Sequence, residues 1–212
     1  MGQSASMPKT VGGQQSIDVV LFGKRPARLV DPRRFAHLKK AMRKLGMAKE
    51  QLADVLGVSE NTFSIALAEG ENASINRDGQ IAFGFGLLEK HERDDALLVA
   101  VMAHEIGHQP WKWPKGDMSH LTRKAIDAIS REEEARADRF AGKALADLAV
   151  SPDPICDFLL AHGKFERHPP ADYYPAEQRV EIIQLAFSKR RKALRTAAHL
   201  SPRALERQRQ LR

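Results

Sequence analysis

The sequence holds a single cysteine, Cys156, among 212 residues. One thiol closes no intramolecular disulfide, so nothing points to a chain stapled for an oxidising compartment. Its neighbours Ile155, Phe158, Leu159 and Leu160 are apolar, which predicts an inert core thiol rather than a nucleophile. Aromatic residues are scarce, at 6% against 42% hydrophobic, so a core must be built mostly from aliphatic side chains. The longest apolar run, Ala96 to Ala103, falls far short of the roughly 20 residues that cross a bilayer. A basic-then-apolar signal pattern is missing from the N-terminus. Together these absences predict a soluble, cytoplasmic protein of one domain with tails.

Positive charge is in excess. The formal net charge is +7 and the pI about 9.7. Much of it sits in Lys189, Arg190, Arg191, Lys192 and Arg195, then Arg203, Arg207, Arg209 and Arg212. Such a tail can attract nucleic acid or an acidic surface, although a solvated helix face is the plainer reading.

Composition and periodicity predict the organisation. Residues 1–16, rich in Gly, Ser and Gln, read as a disordered segment. Val19 to Phe22 reads as a short strand. From Pro32 to Leu56 apolar residues recur at helical steps, with a break expected at Gly46. Phe63, Ile65 and Leu67 alternate as in a strand, as do Ile81, Phe83 and Phe85. Gly70, Asn72, Asn76, Asp78 and Gly79 between them are turn chemistry. A buried helix is expected from Asp94 to Gln109, stopped by Pro110, then a loop over 110–120 with Trp111 and Trp113. A second long helix is expected from Leu121 to Val150, a shorter one after Ser151-Pro152-Asp153-Pro154 to Ala161, and a final one from Ala176 after a Pro-rich loop. The fold class expected is α+β: a mostly helical domain over 17–188 with a small sheet beside the buried helix at 94–109, and a basic helical tail over 189–212.

The chemistry centres on His104-Glu105-Ile106-Gly107-His108. On a helix the two histidines lie one turn apart on one face, so both imidazoles can reach one ion. Zn²⁺ favours such nitrogen ligands. Glu105 is rotated about 100° from His104, too far round for a natural third ligand but well placed to take a proton from a water activated by the ion. A catalytic zinc needs a third protein ligand and an open position. Arg131-Glu132-Glu133-Glu134-Ala135-Arg136-Ala137-Asp138 supplies candidates. Glu134 and Asp138 share a face, continued by Ala141, Gly142 and Leu145, which are expected to pack on the first helix. Glu134 is then the ligand, and Asp138 the acceptor that orients a histidine ring. Glu132 and Glu133 point elsewhere and are expected to be solvated.

The order of these pieces resembles the zinc metallopeptidases of the HtpX and CAAX-prenyl-protease type, which are gluzincins. The resemblance covers roughly residues 50–185 and includes Asn72-Ala73, Gly86-Leu87-Leu88-Glu89, Val99 to His108, Glu134 to Asp138, Asp153-Pro154, His168-Pro169-Pro170 and Arg179. It implies one zinc on His104, His108 and Glu134, Glu105 as general base, and Asn72 beside the backbone of a protein or peptide substrate. In that family a His-Pro histidine about six residues before an Arg lies near the catalytic water. Here His168 precedes Arg179 by eleven residues, whereas Tyr173-Tyr174-Pro175 has the more usual spacing. His168, Tyr173 or Tyr174 could then donate to the tetrahedral intermediate. The family's best-known members are membrane-embedded, so this chain is expected to cut soluble or unfolded chains, with an extended peptide added to the strand at 63–67 or that at 81–85.

Two rivals share parts of the pattern. Metallopeptidases of the ImmA and IrrE type, which cleave repressors, also follow H-E-x-x-H with a Glu-x-x-Ala-Asn/Asp-x-Phe-Ala segment. The 26-residue step from His108 to Glu134, and Phe140-Ala141, suit them. Gly86 to Glu89, His168-Pro169-Pro170 and Arg179 suit the HtpX type better, and the ligands are the same in both. Gln51-Leu52-Ala53, Gly57-Val58-Ser59 and Glu69-Gly70 resemble a helix-turn-helix DNA-binding module, with residues 60–69 as recognition helix. That stretch has no Arg or Lys and alternates as a strand.

Overall fold

A computed structural model describes residues 27–76, 78–109, 121–163 and 173–210. Residues 1–16, Val19 to Phe22, the loop at 110–120 and His168 lie outside them. The first described element is a 3₁₀ helix, Pro32–Leu38, started by the Asp31 carboxylate, which accepts the Arg33 N–H at 2.9 Å. Phe35 departs from helical winding (φ −123°, ψ 52°). Its ring stacks on Phe85 at 4.8 Å. Regular winding therefore begins later than Pro32, in α1 (Lys39–Leu56).

The break expected at Gly46 does not occur, for α1 runs straight through it. Ala41, Leu45, Ala48 and Leu52 share a buried face across that point. A mid-helix glycine costs about 1 kcal/mol, less than the roughly 1.5–3 kcal/mol from burying one leucine.

The sheet has three strands rather than the two expected. They are β1 (Ser64–Ala68), β2 (Ala73–Ile75) and β3 (Gln80–Gly84), in the order β1-β3-β2. β1 and β3 run parallel, with Ile65 opposite Ile81 and Leu67 opposite Phe83. β2 lies in the stretch read as turns and pairs antiparallel to β3. Three residues between two asparagines are too few to carry an alternation signal. Ile81 and Phe83 are fully buried in the central strand. Phe85 leaves the strand and opens α2 (Phe85–His91), a helix the alternation pattern concealed. Residues 60–69 hold a 3₁₀ turn at Glu60–Thr62 followed by β1, so the recognition helix of a helix-turn-helix module is not there.

The two long helices come where expected. In α3 (Asp95–Gly107) the Asp94 carboxylate accepts the Leu97 N–H at 3.0 Å, a cap worth about 1 kcal/mol. Leu97, Leu98, Ala100, Met102, Ala103 and Ile106 are buried almost all round it. In α4 (Arg123–Asp147) the cap is Thr122, accepting the Ala125 N–H at 3.2 Å. α5 (Asp153–Gly163) ends slightly beyond Ala161, and α6 (Ala176–Gln210) passes residue 189 without interruption. Cys156 is buried in the main core with Ile155 and Ile183. Burial pushes its thiol up to about 11, as expected of an inert thiol. The architecture is mostly helical α+β, with β2 packed on α3. No helix among the described residues is long and apolar enough to cross a membrane.

Candidate metal centre

The site is made by one helix crossing. A Cβ on Gly107 would lie 2.8 Å from the Ala137 Cα and 3.0 Å from its carbonyl oxygen. Only a hydrogen at residue 107 allows α3 and α4 to approach so closely. His104 stands one turn before this point on α3, and His108 caps the helix just after it. On α4, Glu134 and Asp138 flank Ala137 on the same face. Gly142, expected to continue the packing on α3, instead faces α6, where a Cβ would meet the Ile183 carbonyl at 2.4 Å.

The crossing brings His104, His108 and Glu134 together, with one ligand atom of each within 4.8 Å of the others. His104 Nε2 lies 3.2 Å from Glu134 Oε2, and His108 Nε2 lies 3.8 Å from Glu134 Oε1. Bonds of about 2.0–2.2 Å to a tetrahedral Zn²⁺ put ligand atoms roughly 3.3–3.6 Å apart, so these separations bracket the requirement. Two imidazole nitrogens and a carboxylate are a suitable donor set for zinc. The residues therefore fit a metal.

Behind these three side chains stand two supports. His104 Nδ1 is 2.9 Å from Asp138 Oδ1, which directs Nε2 towards Glu134. Burial works against a charge on His104, but its hydrogen bonds to the Asp138 and Glu134 carboxylates outweigh it and draw the imidazole up to about 10. Arg179 of α6 grips Asp138 with two hydrogen bonds, at 2.8 and 2.9 Å, and lies 3.8 Å from Glu134. Burial alone would raise the Asp138 carboxyl, yet Arg179 and His104 hold it below its usual range.

The second support was not read from the sequence. Glu133, expected to be solvated, is buried. Its Oε1 lies 3.8 Å from His108 Nδ1, and it accepts hydrogen bonds from Arg136. Arg136 also donates to the carbonyls of His108, at 2.8 Å, and Gln109, at 3.4 Å. A cation there satisfies the last carbonyls of α3 and opposes the negative end of its dipole. Gln109 in turn donates to the Asn76 carbonyl at 2.9 Å, just beyond β2. The only available signal was the Glu133–Arg136 spacing of opposite charges three apart. Glu132 is exposed, as expected.

The remaining candidates are spread around this centre. Glu105 is buried beside His104 on α3, at 9% exposure. The Tyr174 hydroxyl donates to Glu132 on the outer side of α4. Tyr173 lies under the Arg179 guanidinium, 5.3 Å from ring centre to cation, and Arg179 in turn lies beside Glu134. Asn72 is exposed at the start of β2, where its carbonyl accepts the Gly84 N–H at 2.8 Å.

Peptide addition was expected at the strand of 63–67 or that of 81–85, and the sheet order rules out the second, which is paired on both sides. β3 is central, and the outer side of β1 is met by residues 28–30, with Val30 N–H donating to the Leu67 carbonyl at 3.0 Å. β2 is an open edge among the described residues, while β1 is met only at its C-terminal end, around Leu67 to Glu69. Asn72 and Asn76 bond to β3. Alternation then turns the N–H and C=O groups of Ala73 and Ile75 outward.

No characterised protein matched the chain in a search of curated proteins. Residues 33–112 match the model of peptidase family M48. That stretch runs from the 3₁₀ helix through the sheet to the histidine helix, and over it the chain is similar to that peptidase family.

Proposed function

We propose that the chain is a zinc-dependent endopeptidase that cuts extended peptide segments, with Glu105 as its general base. The observation that carries this reading is the cluster of His104, His108 and Glu134 ligand atoms within 4.8 Å of one another. These three side chains would hold the ion, and Asp138 would keep the His104 ring in register. When bound, zinc supplies a Lewis acid that polarises the scissile carbonyl and makes a water more acidic. Glu105, next to His104 on α3, takes the proton of the attacking water and passes it to the leaving amine.

The substrate adds to the free edge of β2, where the outward groups of Ala73 and Ile75 supply main-chain hydrogen bonds. Asn72 at the head of that strand contacts the same backbone. Gln109 ties the far end of β2 to the metal helix, so the peptide and the ion share one frame. A hydrogen-bond donor to the tetrahedral intermediate comes from His168 or Tyr173. The engagement of Tyr174 with Glu132 makes it the weaker candidate.

The test is Glu105→Gln with zinc analysis and a casein hydrolysis assay. Wild-type chain should carry one zinc and lose activity to a chelator. The variant should keep the metal while its rate falls by about 10²- to 10⁴-fold. Wild-type hydrolysis by the variant would reject Glu105 as the base. A folded wild-type chain with neither zinc nor hydrolysis would reject the whole reading.

A further inference from the structure

Away from the metal centre, α4 and α6 run side by side in the same direction. Asp138 meets Arg179, Gly142 meets Ile183, and Asp147 meets Arg190. Along their outer seam lies an open groove of about 690 Å³, closed on the far side by the end of α1. Its floor is apolar: Phe140 and Ala144 of α4, Ile182 and Leu185 of α6, and Val55 and Leu56 of α1. Leu185 is 51% exposed and Val55 36%, so the groove presents apolar side chains to solvent.

The rim is cationic, made of Arg139, Lys143, Lys189 and Arg190, with one acid, Asp147. Arg190 already pairs with Asp147 at 2.8 Å, and Arg139 lies 3.9 Å from Glu132. Among the described residues, no ion pair engages Lys143 or Lys189. From Ile182 to Ala193 the groove follows about three turns of α6, roughly 16 Å.

We propose that this groove docks an amphipathic helix with acidic flanks, belonging to a partner protein. The length matches three helical turns, and an apolar floor takes side chains at i, i+3, i+4 and i+7. Flanking carboxylates would then meet Lys143 of α4 and Lys189 of α6, which supplies specificity and orientation. A second copy of this chain is disfavoured by its net charge of +7. A planar lipid surface fits a concave trough poorly.

The test uses synthetic fluorescent peptides. One carries leucines at helical spacing with flanking glutamates. A second has lysines in place of the glutamates, and a third is a scrambled acidic sequence of the first's composition. Peptide integrity is checked by mass spectrometry. The first should bind, more weakly as salt rises, and the other two about tenfold less tightly or not at all. Leu185→Glu and the double variant K143E/K189E should each weaken it by a similar factor while leaving thermal melting and casein hydrolysis unchanged. Equal binding of the three peptides, or full binding by both variants, would overturn the proposal. So would preferential binding to phosphatidylserine vesicles, or self-association that Leu185→Glu abolishes, since either assigns the groove another occupant. The main readout is peptide binding, so its failure leaves the peptidase reading untouched.

Discussion

Arg179 holds Asp138 through a two-pronged ion pair, Nε to Oδ2 at 2.8 Å and a terminal nitrogen to Oδ1 at 2.9 Å. Asp138 holds His104 Nδ1 at 2.9 Å. α6 is thus coupled to His104, a candidate metal ligand, through one buried carboxylate.

Arg179→Lys keeps the charge and removes the fork. Zinc affinity should fall by about 10- to 100-fold, the usual cost of losing support behind a ligand. A competition titration against a chromophoric chelator measures it. Unchanged affinity would show that Asp138 orients His104 without help from α6.

Gly107→Ala tests the helix crossing. The new methyl would lie 2.8 Å from the Ala137 Cα, so α3 and α4 must separate. Overpacking of this kind costs about 1–3 kcal/mol. Denaturant unfolding should show that loss, and zinc content should fall with it because Glu134 moves away from the histidines. A variant as stable as the parent, with full zinc, would contradict the crossing geometry.

Ala73→Pro removes one N–H from the open edge of β2, while the bonds of Asn72 and Asn76 to β3 remain. One main-chain hydrogen bond is worth about 0.5–1.5 kcal/mol. On a peptide substrate, kcat/KM should fall by roughly that equivalent, two- to tenfold, with thermal stability nearly unchanged. Full activity would exclude β2 as the substrate strand.

Cys156 is raised from 9.0 to about 11 by burial, with Asp153, Asp157 and Asp138 adding to the effect. Between these values the unfolded thiol has lost its proton and the folded one has not. The stability contribution is therefore complete below pH 9 and declines as pH rises towards 11, by at most about 1.4 kcal/mol per unit. Urea unfolding of wild type and Cys156→Ala at pH 8 and pH 10 isolates it. The wild type should lose more between the two. The native thiol should also resist Ellman's reagent at pH 8. Equal losses would mean that the thiol is not held in a dry site.

The sequence alone determined the features that depend on local spacing. His104 and His108 share a face because a helix repeats every 3.6 residues. The apolar run before them requires burial, and Glu134 and Asp138 share a face for the same reason. Asp94 marked the start of the histidine helix. The mostly helical α+β class followed from these patterns.

Tertiary structure decided whatever depends on which elements meet. β2 is an edge because β3 lies between it and β1, and three residues carry no period that reveals this. Glu133 and Glu132 are neighbours of the same type. One is buried beside His108 and the other is exposed, because α3 crosses α4 on only one side. Gly142 faces α6 and Gly107 faces α4, though both read as small residues on a helix. Arg136 reaches the His108 carbonyl across 28 positions of chain. Long-range contacts of this sort leave no local periodicity, so only the packed chain determines them.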